Sequence, residues 1–214
     1  MPENNDQPYD TAKPSLLTRR GALRLLALSS ASLVAGTGSS NAFWDFLSGY
    51  DSASPTVLKD LKIPSEWRTI LGPQLPVYAE YLRKLRLRHV PVREIIEPHT
   101  RIRGKVHNSL PPRSMWGNIR STLKVVDSLS DRLNLPVKEI VSVYRSPAYN
   151  ARCPGAKSNS YHMRNIAIDV TFPCPPGKVA AMARAMRATG IFRGGVGRYG
   201  GFTHVDTRGS NVDW

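Results

Sequence analysis

The spacing of apolar residues changes abruptly near Pro136, and that change restricts the folds open to this chain. Before it, Met115, Ile119, Leu123, Val126, Leu129 and Leu133 recur every three or four positions. That period predicts one helix with a single buried stripe of about five turns. Pro111-Pro112 precedes the stripe, and Asn134 and Pro136 mark its end. Beyond Pro136 the period falls to two. Ile140-Val141-Ser142-Val143-Tyr144 is rich in strand formers, and Ile166, Ile168, Val170 and Phe172 alternate with Ala167, Asp169 and Thr171. Pro175-Pro176-Gly177 opens a helix with Val179, Met182, Ala183 and Met186 inward and Gly190 at its end. Two short strands fit 195–199 and 202–207. Helices followed by strands around a helix predict an α+β domain, a small antiparallel sheet packed against helices.

The earlier chain is less regular. Residues 43–74 mix Pro, Ser and Gly with short apolar patches, and Tyr78, Tyr81, Leu82 and Leu85 then recur at helical spacing until Pro91 and Pro98 interrupt. The expected organisation is a leader over 1–42, a partly helical extension over 43–109 and the main domain over 110–214.

Residues 18–24 read Thr-Arg-Arg-Gly-Ala-Leu-Arg, followed by a short apolar run and Ser40-Asn41-Ala42. A charged segment, a brief hydrophobic segment and a small-x-small cleavage site make a secretory signal. The paired Arg19-Arg20 resembles the twin-arginine export signal, which implies a periplasmic or otherwise exported protein. Export to an oxidising compartment makes Cys153 and Cys174 a disulfide candidate. That bond would close a loop of about 22 residues and contribute roughly 3 kcal/mol. Two free thiols are the alternative, since the paired spacing of a structural zinc site is missing.

The chain carries a net charge of +14. Residues 1–42 hold four bases and three acids, so the remainder stays near +13. Such a charge attracts polyanions. The bases are scattered, however, and no nucleic-acid motif accompanies them, so an anionic cell envelope is the expected partner and nucleic acid is not.

Chemistry gathers in two strands. On the 202–207 strand Phe202, His204 and Asp206 share a face, and on the 166–172 strand Asp169 stands among hydrophobic neighbours. Polar groups in such places need partners. His162 lies seven residues before Asp169 in a loop able to fold back beside it. One cation would satisfy His162, Asp169 and His204 together, because zinc takes His nitrogen and Asp oxygen and a catalytic site keeps one position for water. His89, His99 and His107 lie apart from this set and are expected to be surface or packed residues.

Ser160-Tyr161-His162-Met163-Arg164-Asn165-Ile166-Ala167-Ile168-Asp169 resembles the Ser-x-His-x-x-Gly-x-Ala-x-Asp motif of zinc D-Ala-D-Ala peptidases. Tyr144-Arg145-Ser146 upstream, and Gly194-Gly195-Val196-Gly197-Arg198-Tyr199 leading to Phe202-Thr203-His204-Val205-Asp206-Thr207 downstream, with Trp214 at the end, are similar to flanking blocks of that superfamily. The order looks most like its twin-arginine-exported murein endopeptidase branch. The resemblance implies a hedgehog/D-Ala-D-Ala peptidase-like fold and one Zn2+ on His162, Asp169 and His204. It also implies peptidoglycan stem peptides as substrates, cut by carboxypeptidase or endopeptidase action.

Arg145 would hold a substrate carboxylate or the developing oxyanion, or form a structural ion pair. Ser160 would orient the peptide or cap its loop. Two departures stand out. Asn165 replaces the motif glycine, a change that tolerance of positive φ allows. Gly201 stands where many relatives place a catalytic Glu, and no Glu follows Glu139. Asp206 is then the expected base, or else the partner that orients His204. A catalytically inactive, zinc-stabilised binding module is the alternative function.

Overall fold

A computed structural model describes residues 56–214. The export signal expected over 1–42 and the start of the 43–109 segment lie outside the described residues. Four short helices open the described chain: α1 (Thr56–Asp60), α2 (Trp67–Leu71), α3 (Leu75–Arg83) and α4 (Val92–Ile96). A 3-10 turn (Glu97–Thr100) and a hairpin of β1 (Ile102–Arg103) and β2 (Val106–His107) follow. No helix among the described residues is long and apolar enough to cross a membrane.

The predicted central helix begins differently from its sequence period. Arg113–Ile119 winds as a 3-10 helix, and only Arg120–Leu133 is α-helical (α5). Trp116 explains the tighter first segment. Its indole donates to the Pro111 carbonyl at 3.0 Å and packs beside Tyr78 and Tyr81. Asn134 ends α5 in the left-handed conformation, φ 50°, so the stop signal acts where it was read.

The remaining elements are β3 (Glu139–Ser142), α6 (Pro147–Asn150), a 3-10 turn (Tyr161–Arg164), β4 (Ala167–Thr171), α7 (Pro176–Ala188), β5 (Gly195–Arg198), β6 (Thr203–Asp206) and β7 (Val212–Asp213). They build a five-stranded sheet in the order β3-β4-β6-β5-β7. The first four strands pair antiparallel, as expected for the α+β class. The edge strand β7 adds a parallel pairing to β5 that two residues of sequence do not announce.

The sheet has two unlike faces. Ile168, Val170, Val196 and Val205 join Leu123, Val126 and Leu129 of α5 and Val179, Ala183 and Met186 of α7 in one core. Residues before 110 belong to that same core, among them Leu75, Tyr78, Leu82, Ile95 and Ile96. The opposite face carries Asp169, His204 and Asp206, all buried.

The disulfide expected between Cys153 and Cys174 is not formed; both thiols are free and half-buried. Each is held by its own local structure. Cys153 donates to the Tyr149 carbonyl at 3.4 Å in the turn after α6, and Cys174 sits in a tight bridge to Phe172 at the end of β4.

His89 pairs with Asp131 at the surface, and His107 is exposed on β2. His99 is buried. Its Nδ1–H donates to the Ile96 carbonyl at 3.0 Å, and Tyr78 meets the ring edge-on. Burial pushes its pKa down to about 4 from 6.5. Between those values the unfolded chain binds a proton that the folded one refuses, so stability falls as the medium is acidified through this window. The contribution is complete above about pH 6.5 and lost by about pH 4, roughly 3 kcal/mol in all. Urea unfolding at a series of pH values should show His99→Asn with a shallower acid slope than the parent, whatever its absolute stability.

Candidate metal centre

Strand register brings the first two groups of the site together. Across the β4–β6 pairing Asp169 faces His204 and Ala167 faces Asp206, so all three polar side chains project from one side. On β3, Ser142 stands opposite Asp169. The third group arrives from the loop. The Ser160 hydroxyl accepts from the His162 N–H at 3.4 Å and caps the 3-10 turn, and Asn165 ends it at φ 54°. Asparagine does what the motif glycine would do. The chain then turns directly into β4, placing His162 over Asp169. Ser160 is thus a loop cap.

The donor atoms of His162, Asp169 and His204 all lie within 4.8 Å of one another, and all three residues are buried. His162 Nε2 is 3.2 Å from Asp169 Oδ1, and His204 Nδ1 is 2.8 Å from the same oxygen. The remaining nitrogens are tied elsewhere. His162 Nδ1–H donates to the Val143 carbonyl at 2.6 Å, and His204 Nε2–H donates to Asp206 Oδ2 at 3.0 Å. Each imidazole is therefore held by its outer nitrogen and turns the other one inward. A hydrogen-bonded outer nitrogen that fixes the tautomer and aims the other is the usual support of a metal-binding histidine.

Electrostatics agree with this geometry. Burial alone would raise the Asp169 pKa, but the two imidazoles outweigh it and hold the carboxyl well below the usual range. Burial pushes His162 down, so its ring stays neutral. Burial also opposes charge on His204, yet its hydrogen bonds to Asp169 and Asp206 prevail and raise its pKa. With a carboxylate at each nitrogen, His204 holds a proton more tightly than a free imidazole, and its Nδ1 is the atom an ion would have to share with that proton. Two nitrogens and one carboxylate oxygen are a donor set that suits zinc. The residues fit the metal.

Arg145 and Asp206 are placed more tightly than the sequence reading allowed. Arg145 Nη2 donates to Asp169 Oδ2 at 2.6 Å and its Nε to Ser142 Oγ at 2.7 Å, so it holds the outer oxygen of a metal-site carboxylate. Asp206 has no exposed surface. Its Oδ1 accepts from the Gly195 N–H (3.0 Å), the Arg208 N–H (3.1 Å) and Arg208 Nε (2.8 Å), and its Oδ2 from Arg208 Nη2 and His204. An Asp saturated in this way orients His204. Burial alone would raise its pKa, but Arg208, His204 and the Gly195 N–H hold it well below the usual carboxylate range.

Arg208 was not singled out in the sequence. The signal was present in the alternation Asp206-x-Arg208 continuing from the β6 strand. Its guanidinium also lies 3.9 Å over the Tyr161 ring, tying the β6 end to the loop that carries His162.

Residues 89–206, more than half of the chain, match the model of the family described as Peptidase M15. The chain belongs to that family. The match spans every proposed metal-binding residue and begins within the segment before residue 110. No curated protein and no solved structure gives a match. Membership implies a zinc metallopeptidase, and the buried His-Asp-His group is where a metal could bind.

Two outcomes follow for the M15 centre. Asp206→Asn should weaken zinc binding about 10- to 100-fold, as loss of an orienting partner does. Zinc must displace the His204 proton, so affinity should fall about tenfold per pH unit below that raised pKa. Competition with a chromophoric chelator across pH measures both.

Proposed function

We propose that this chain is an exported zinc peptidase that hydrolyses D-amino-acid-containing peptide bonds in peptidoglycan stems. The observation that carries the reading is the buried His162–Asp169–His204 group within a Peptidase M15 match. When bound there, zinc would lower the pKa of a water toward about 7 and polarise the scissile carbonyl. Around that ion the protein's own groups have defined tasks. Arg145 holds the outer oxygen of Asp169 and so fixes which oxygen faces inward. The Asp206–Arg208 pair presents His204 through Nδ1. The Val143 carbonyl keeps His162 Nε2 bare. The site's groups are thus held before substrate arrives, which is how electrostatic catalysis avoids reorganisation.

Positive charge outside residues 1–42 favours an anionic envelope polymer as substrate, and Arg19-Arg20 favours the twin-arginine route. The motif order resembles the murein endopeptidase branch, and the proposal covers carboxypeptidase and endopeptidase action alike.

Two observations support a second reading, a zinc-stabilised wall-binding module without turnover. Gly201 replaces the Glu of relatives, and the oxygens of Asp206 are already engaged.

Digestion of purified sacculi separates the two. The peptidase reading expects soluble peptide fragments, abolished by chelator and restored by zinc, with His204→Ala reduced at least about a hundredfold. Zinc retained and sacculi bound, but nothing released, would establish the module instead. Export is tested separately: Arg19→Lys with Arg20→Lys should leave the protein in the cytoplasm, and undiminished export would refute the twin-arginine route.

A further inference from the structure

The rim of the metal centre carries an aromatic surface for which the peptidase chemistry has no use. Trp214 lies at the end of β7, with its N–H donated to the Val196 carbonyl at 3.3 Å and its carbonyl accepting from the Arg198 N–H at 2.9 Å. Next to it Asp213 is gripped by Arg184 and Arg187 at 3.0 and 2.7 Å. The indole lies on β5 where glycines leave room. A Cβ at Gly197 would come within 2.5 Å of the ring, and one at Gly195 within 3.0 Å. Gly197 pairs with His204 across the sheet, so the indole is seated directly beside a metal-site residue, with ring centres 5.1 Å apart.

The surface extends outward from there. Trp214 Nε1–H donates to the Tyr199 hydroxyl at 2.8 Å, and the Tyr199 ring stacks on Phe202 at 4.5 Å. Despite these contacts Trp214 and Tyr199 remain 44% and 41% exposed. Two large rings joined edge to edge, and pinned by backbone pairing and an ion-pair clamp, form a rigid shelf continuous with the metal centre.

Resting on the peptidoglycan reading, we infer that the Trp214–Tyr199 shelf binds sugar rings of the glycan strand while the attached peptide enters the metal site. The chemistry of the shelf selects this occupant. An extended peptide is captured by unpaired backbone donors and acceptors, and Trp214 has already committed both of its own. What remains is exposed aromatic ring surface with the Tyr199 hydroxyl at its edge and the Arg208 guanidinium over the indole, 5.1 Å from its centre. A pyranose matches it, with an apolar C–H face and a polar rim, and rigid aromatic side chains supply such contact at little entropic cost.

The test combines binding with a kinetic split. The zinc-loaded protein is titrated calorimetrically with an N-acetylglucosamine tetrasaccharide. KM and kcat are then measured on a disaccharide-linked stem peptide and on the same peptide without sugar. Trp214→Ala and the more peripheral Tyr199→Ala should each weaken saccharide binding about tenfold and raise KM on the sugar-bearing substrate to match, with the sugar-free KM within about twofold. No saccharide binding by the parent protein overturns the inference. So does an equal rise in KM on both substrates, which would make the shelf part of the peptide site. Saccharide binding that both substitutions abolish, in a protein that cuts neither peptide, supports the shelf while refuting the peptidase reading.

Discussion

A single carboxylate, Asp169, governs the arrangement of the polar side of this protein. It is buried on the central strand β4 and faces His204 across the β4–β6 pairing. A buried charge without partners would cost several kcal/mol. Every element near it supplies one. β6 brings His204, the capped 3-10 turn brings His162, and the segment after β3 brings Arg145 against the outer oxygen. The two histidines gather around one oxygen of the carboxylate, and that convergence makes a metal the economical reading of the cluster.

The sheet can hold such a site because its other face is left almost wholly to packing. Ile168, Val170, Val196 and Val205 bury against α5 and α7, so strand position is fixed independently of the polar groups. Glycine on β5 extends the division of labour. Gly195 lets its N–H approach Asp206, and Gly197 leaves space for Trp214. A side chain at either position would intrude into the site face.

Much of this was legible from residue order because it depends on local periodicity. Strand alternation placed Asp169, His204 and Asp206 on particular faces, and the α5 stripe and its Asn134 stop were written in apolar spacing. Positive φ at Asn165 followed from the chemistry of asparagine. What sequence could not deliver were facts of tertiary placement. The 3-10 start of α5 depends on Trp116 packing, the free thiols on where two separate turns lie, and β7 on a parallel pairing two residues long. The roles of Arg145 and Asp206 also awaited geometry. A charged residue two positions from a metal-site histidine reads equally well as base or as support until its hydrogen bonds are counted.

The central claim is that one ion is held by His162 through Nε2, by Asp169, and by His204 through Nδ1. Anomalous diffraction at the zinc absorption edge, on crystals of the zinc-loaded protein, tests it most directly. The account predicts a single strong peak within bonding distance of those three atoms, with His204 Nε2 still bonded to Asp206. A peak on other residues, or a His204 ring reversed to bind through Nε2, would contradict it.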